Sequence, residues 1–142
     1  MSAASLTGQI AGALQPRPEI LEAYLFGSRA REDANPESDT DVAVLVDRST
    51  APDPPFGYAA ALAADLTTAL GGGAVDVVVL NDAPPLLYHR VLRDGIRLLA
   101  RDLRATTTRE GRALSRYCDY VTQLRKIDVA HSTRIAEGDF GR

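Results

Sequence analysis

Three aspartates at the mouths of apolar strands are the residues of this sequence best suited to do chemistry. Asp39 and Asp41 flank one threonine and lead without a break into Val42, Ala43, Val44, Leu45 and Val46. A strand has a side-chain period of two, so both carboxylates project from one face and can chelate one hard cation through oxygen. Without a cation, like charges at the edge of a core repel each other. Asp76 repeats the arrangement, because it follows the Gly71-Gly72-Gly73 breaker and is the lone charge in the run Val75-Asp76-Val77-Val78-Val79-Leu80. Placed beside the first pair, it is either a further metal ligand or the base that takes a proton from an attacking hydroxyl.

A second feature lies just upstream. Tyr24, Leu25 and Phe26 read as the end of a buried strand, and Gly27-Ser28 follows them. Gly27 permits a sharp turn and has no Cβ to block a ligand's approach. Ser28 sets a hydroxyl beside the backbone N–H groups of the helix that Arg29, Ala30 and Arg31 can begin, and such a turn can hold phosphate. Taken singly, a Gly-Ser pair is an ordinary turn and Ser38-Asp39-Thr40-Asp41 an ordinary cap or solvated loop. The combination, with ten residues between Ser28 and Asp39 and a third aspartate on a later strand, is more specific.

This combination resembles the polymerase-β-type nucleotidyltransferase superfamily over roughly residues 20 to 100. More narrowly, GSRAR followed by ESDTDVAVLV is similar to its minimal nucleotidyltransferases, the MntA-like antitoxins that partner HEPN-domain toxins. The resemblance implies that Gly27 and Ser28 hold a nucleotide triphosphate, that Asp39 and Asp41 bind Mg2+, and that Asp76 completes the acidic triad. Arg31 matches the arginine that often follows the turn, whereas Glu32 stands where many relatives place glycine. In-line attack on the α-phosphorus expels pyrophosphate. Two cations bridged by carboxylates stabilise the entering and leaving oxygens, while Arg29 or Arg31 neutralises the departing charge. The implied activity is transfer of AMP from ATP to a hydroxyl, a tyrosine of the HEPN-type RNase toxin, whose action is thereby blocked. Two other readings stay open: adenylylation of a small molecule such as an aminoglycoside, and an antitoxin that acts by binding alone. Small-molecule enzymes of this kind carry a larger helical substrate region, and binding alone would not require three acids placed for metal chemistry.

Composition sets the frame. With 142 residues, 45% hydrophobic and 25% charged, the chain can bury one core. Residues 1–80 hold four basic and eleven acidic side chains and residues 81–142 hold twelve and eight, so the second half is basic within a net charge of −3. The basic residues are mixed with acids and lack interleaved aromatics, which favours a solvated or partner-facing helix over nucleic-acid binding. The sole cysteine, Cys118, excludes an internal disulfide and reads as a small core or interface residue. Neither a signal peptide nor a membrane span is expected, which points to the cytoplasm.

The elements that must position these residues follow in order. A helix over about residues 4–14 precedes a first strand, the Gly-Ser turn and a short helix to about Asp33. The strand bearing Asp39 and Asp41 comes next, then a Pro-rich loop, a helix from Tyr58 to Leu70 and the strand of Asp76. Pro84-Pro85 starts a helix that Gly95 stops, with His89 on its surface or at an interface, and Ile96–Ala100 adds an edge strand. These elements predict an α/β (α+β) fold with a small mixed sheet covered by helices. The expected division is a nucleotidyltransferase domain over 1–101 and a helical extension over 102–142. Leu114, Tyr117, Val121 and Leu124 recur at helical spacing in that extension, and the stripe drifts on through Ile127 and His131. It either packs on the sheet or meets a partner.

Overall fold

The segment Ile20–Phe26, ILEAYLF, forms the central strand β1 because aromatic and branched residues alternate on both faces of a sheet that is covered on each side. The computed structural model describes residues 3–27 and 39–136. Helix α1 spans Ala3–Leu14, β2 Thr40–Val46, α2 Tyr58–Ala69, β3 Val75–Val79, α3 Pro85–Asp94, β4 Ile96–Ala100 and α4 Leu103–Ala136, with a 3-10 turn at Leu80–Asp82. Strand order is β3-β2-β1-β4. β1 runs antiparallel to β2 and β4, while β2 and β3 are parallel, joined by a crossover through α2. The mixed sheet and the long C-terminal helix are as the sequence predicts, while the short helix expected after Gly27 lies outside the described residues.

One sheet face packs against α1 and α2. Ile20, Ala23 and Leu25 of β1 and Val42, Val44 and Val46 of β2 meet Leu6, Ile10 and Leu14 from α1 and Leu62 and Leu66 from α2. Fully burying each large aliphatic side chain contributes roughly 1.5–3 kcal/mol, so this layer dominates stability. The other face carries Tyr24, Ala43 and Val78 and is covered by Tyr88 and Val91 of α3 and Ala113 of α4. By strand alternation, Asp41 and Asp76 share this second face with Ala43 and Val78.

Helix α4 is 34 residues long, about 50 Å at 1.5 Å per residue, and it outruns the domain. Its first half belongs to the second core, through buried Thr106 and Ala113. Residues 122–132 are all exposed. The apolar stripe does not lie on the sheet: Leu114 is 51% and Leu124 46% exposed, and Ile127 is 64%. Ala113 and Thr106, one turn-face away, make the packing instead. Tyr117 stacks on His89 of α3 with ring centroids 3.6 Å apart, and Cys118 is exposed rather than a core residue. Among the described residues no helix is long and apolar enough to cross a membrane.

Candidate active site

The antiparallel and parallel registers together gather the acids. Asp41, second residue of β2, is the Cα partner of Asp76, second residue of β3, and on its other side it pairs with Phe26, the last residue of β1. Adjacent strands lie about 4.8 Å apart, so the two carboxylates are neighbours at one end of the sheet face. Asp39 stands just before β2 and is exposed. The chain enters β2 through Thr40, which is buried and whose N–H donates to the Ala74 carbonyl at 3.0 Å. That bond fixes the entry of β2 against the entry of β3, and hence Asp39 and Asp41 against Asp76.

Gly27 follows directly on Phe26 and adopts φ +76, in the left-handed region. A Cβ on Gly27 would stand 2.4 Å from Asp41 Oδ2. The space that glycine leaves is therefore taken by the Asp41 carboxylate, a reason the sequence did not reveal. Ser28, Arg29 and Arg31, the other expected phosphate contacts, lie outside the described residues, as does Glu32.

Electrostatics single out Asp41. Burial, then the charge of Asp76, then that of Asp39 raise its pKa above the usual carboxylate value. A hard cation would reverse this imbalance, and an all-carboxylate donor set suits one. Among the described residues, however, no three His, Cys, Asp or Glu side chains already form a metal-holding group.

Further along the same sheet face lies a polar network that the sequence reading missed. Glu22, wholly buried in the middle of β1, accepts hydrogen bonds from Tyr24 Oη at 2.9 Å and from Arg109 Nε of α4. Tyr24 Oη also lies 2.8 Å from Glu110 Oε2, and Arg97 of β4 donates to Glu110 Oε1 at 2.6 Å. Burial opposes ionisation of Glu110, but the bonds from Arg97 and Tyr24 outweigh it and hold its pKa below the ordinary value. Burial and the two glutamates drive the Tyr24 phenol strongly upward, so it stays protonated. The network bolts α4 to the sheet face that carries Asp41. The available signal was one charge inside an apolar strand, Glu22 in ILEAYLF.

Residues 8–104 match the family described as polymerase beta, nucleotidyltransferase. No curated protein matches the sequence. Among solved structures, a toxin-antitoxin crystallised with AMP-PNP is 24% identical with a TM-score of 0.69, covering 89% of this chain and 98% of that one. A tri-AMPylated Shewanella oneidensis HEPN toxin in complex with MNT antitoxin matches at 23% identity and TM-score 0.66, over 92% and 98% of the two chains. A protein described as a minimal nucleotidyltransferase is 27% identical with a TM-score of 0.52, over 68% and 95%. The family match spans most of the chain, from α1 through both aspartate-bearing strands to the start of α4, and the chain belongs to the polymerase beta nucleotidyltransferase family.

Proposed function

We propose that this protein is a Mg2+-dependent adenylyltransferase that moves AMP from ATP to a hydroxyl, a tyrosine, of a partner HEPN-type RNase toxin, and so acts as its antitoxin in the cytoplasm. The observation that carries this is the in-register pairing of Asp41 with Asp76, with Asp39 two residues ahead and Gly27 against the Asp41 carboxylate. The likeness in fold to toxin-antitoxin complexes, one with AMP-PNP and one with an AMPylated toxin, supports the choice of nucleotide and acceptor.

In this reading Asp39 and Asp41 hold the cation, with Asp76 either a third ligand or the base. Bound Mg2+ supplies charge stabilisation for the entering and leaving oxygens. The turn from Gly27 into Ser28 orients the β- and γ-phosphates, and Arg29 or Arg31 neutralises charge on the departing pyrophosphate. The acceptor oxygen forms a bond to the α-phosphorus, the bond from that phosphorus to the bridging oxygen breaks, and pyrophosphate departs with the electron pair. The acceptor's proton passes to a carboxylate, Asp76 if it is the base. The Glu22 network takes no part in bond making; it keeps α4 and β1 fixed behind the site.

Intact-mass measurement of the partner, incubated with this protein, ATP and Mg2+, tests the reading. The partner should gain one or more AMP units, and the gain should vanish with Asp39→Asn. A partner bound and inhibited without a mass change, equally by wild type and variant, would leave a binding-only antitoxin. Asp76→Asn should lower turnover about 10²–10⁴-fold with nucleotide affinity kept if Asp76 is the base. Loss of Mg-nucleotide affinity would make it a ligand.

A further inference from the structure

A cavity of about 750 Å³ opens between α4 and the sheet face, lined among others by Leu45, Arg109, Gly111, Arg112 and Arg116. Leu45 is four residues beyond Asp41 on the same strand, so the cavity lies about 13 Å from the acids along β2 and holds none of them. Its floor is apolar, from Leu45, Leu80 and Tyr88, and its wall is cationic. Arg109 is committed to Glu22. Arg112 and Arg116 have no carboxylate partner among the described residues, and the Arg116 guanidinium stands over the Tyr88 ring, 6.0 Å from its centroid. These two arginines, four apart on a helix, point to one side. A pair of unneutralised guanidiniums over an apolar floor fits a phosphate with an organic body attached.

Gly111 lines the same cavity. Glycine inside a helix is unfavourable, and it is retained in proteins where backbone must approach closely or bend. No close approach calls for glycine here, since a Cβ on Gly111 would meet nothing within 4 Å. The space beside Gly111, which lines the cavity together with Arg109 and Arg112, is open.

We infer that this cavity is a binding site for a phosphate-bearing ligand of nucleotide size, separate from the aspartate centre and independent of a divalent cation. Arg112 and Arg116 take the phosphate, and the organic part lies on Leu45, Leu80 and the Tyr88 edge. The test is calorimetry on the full chain in EDTA, titrating AMP, pyrophosphate and adenosine in parallel. AMP should bind, with pyrophosphate weaker and adenosine weakest, because the first combines both contacts. Arg112→Ala and Arg116→Ala should each weaken AMP by roughly tenfold, the low end for a charged hydrogen bond. Gly111→Leu should abolish AMP binding while helicity is kept and the melting temperature does not fall. Pyrophosphate binding as tightly as AMP would assign the site to bare phosphate and overturn the nucleotide-sized ligand. The site itself is overturned if AMP fails to bind in EDTA, if adenosine binds as well as AMP, or if Gly111→Leu folds and binds AMP unchanged. Because no readout is turnover, failure here leaves the adenylyltransferase reading untouched, and the converse holds.

Discussion

Gly27→Ala probes how closely the turn and the acid are joined. A Cβ at this position would lie 2.4 Å from Asp41 Oδ2 and 3.3 Å from its Cγ, whereas unstrained contacts sit near ~3.5 Å. The carboxylate must therefore move by about 1 Å. The backbone adds its own cost, because φ +76 in a residue with a Cβ is unfavourable by about 1–2 kcal/mol. Together these predict a loss of roughly 1–3 kcal/mol, and at about 4 °C per kcal/mol for a domain of this size a melting point lower by about 4–12 °C. A 1 Å displacement of a reacting group is worth on the order of 10²-fold in rate, so AMP transfer should fall by about that factor. The control is the same substitution in an Asp41→Ala background, where the steric part disappears and the backbone part remains. Scanning calorimetry of the four proteins gives the coupling, expected at about 1 kcal/mol or more. Equal losses with and without the Asp41 carboxylate, together with near-normal transfer by Gly27→Ala, would refute the claim that glycine is there to admit Asp41.

Three further outcomes follow from the same structure. Asp41→Asn should stabilise the metal-free protein near neutral pH: the folded state holds the Asp41 proton more tightly than the unfolded chain, so wild-type stability declines as pH rises from the unfolded value of 3.8 through the raised folded one and is flat beyond. Paired melts in EDTA at acid and neutral pH check this, and a variant less stable than wild type at neutral pH would contradict it. Glu22→Ala strands Arg109, while Tyr24 keeps its bond to Glu110. It should cost about 3 kcal/mol or more in urea unfolding, the low end for breaking a buried pair because Arg109 reaches solvent. Leu124→Ser with Ile127→Ser, on the exposed part of α4, should change stability by no more than about 0.5 kcal/mol per site. The pair should nevertheless weaken capture of the proposed toxin partner in a binding titration, and unchanged affinity would remove that surface from the account.

What the sequence made legible was local. The runs Thr40–Val46 and Val75–Val79 announce themselves as strands through β-branched residues, and Pro85 and Gly95 bracket α3 by their backbone chemistry. Asp41 and Asp76 could therefore be placed on their strands, whereas Asp39, expected on the same strand as Asp41, falls just before β2. That Asp76 stands beside the first pair is an expectation the strand pattern alone does not fix, because it depends on register. The pairing of Asp41 with Asp76 joins residues across a parallel crossover, and the contact of Asp41 with Gly27 belongs to the antiparallel pair β1–β2. The Glu22–Arg109 bond, 87 residues apart in sequence, leaves only the trace of a charge in an apolar strand. On α4 the periodicity of Leu114, Tyr117, Val121 and Leu124 is real, but period alone does not say which stripe meets the sheet. Small Ala113 and Thr106 allow the close approach that the larger residues would prevent.

The measurement closest to the central claim uses ATP labelled at either the α- or the γ-phosphate, with the purified partner, Mg2+ and this protein. Label from the α-position should appear on the partner and label from the γ-position only in released pyrophosphate, with both signals lost in Asp41→Asn. Transfer of the γ-label to the partner, or full inhibition of the partner with neither label transferred, would contradict nucleotidyl transfer at the Asp39, Asp41 and Asp76 centre.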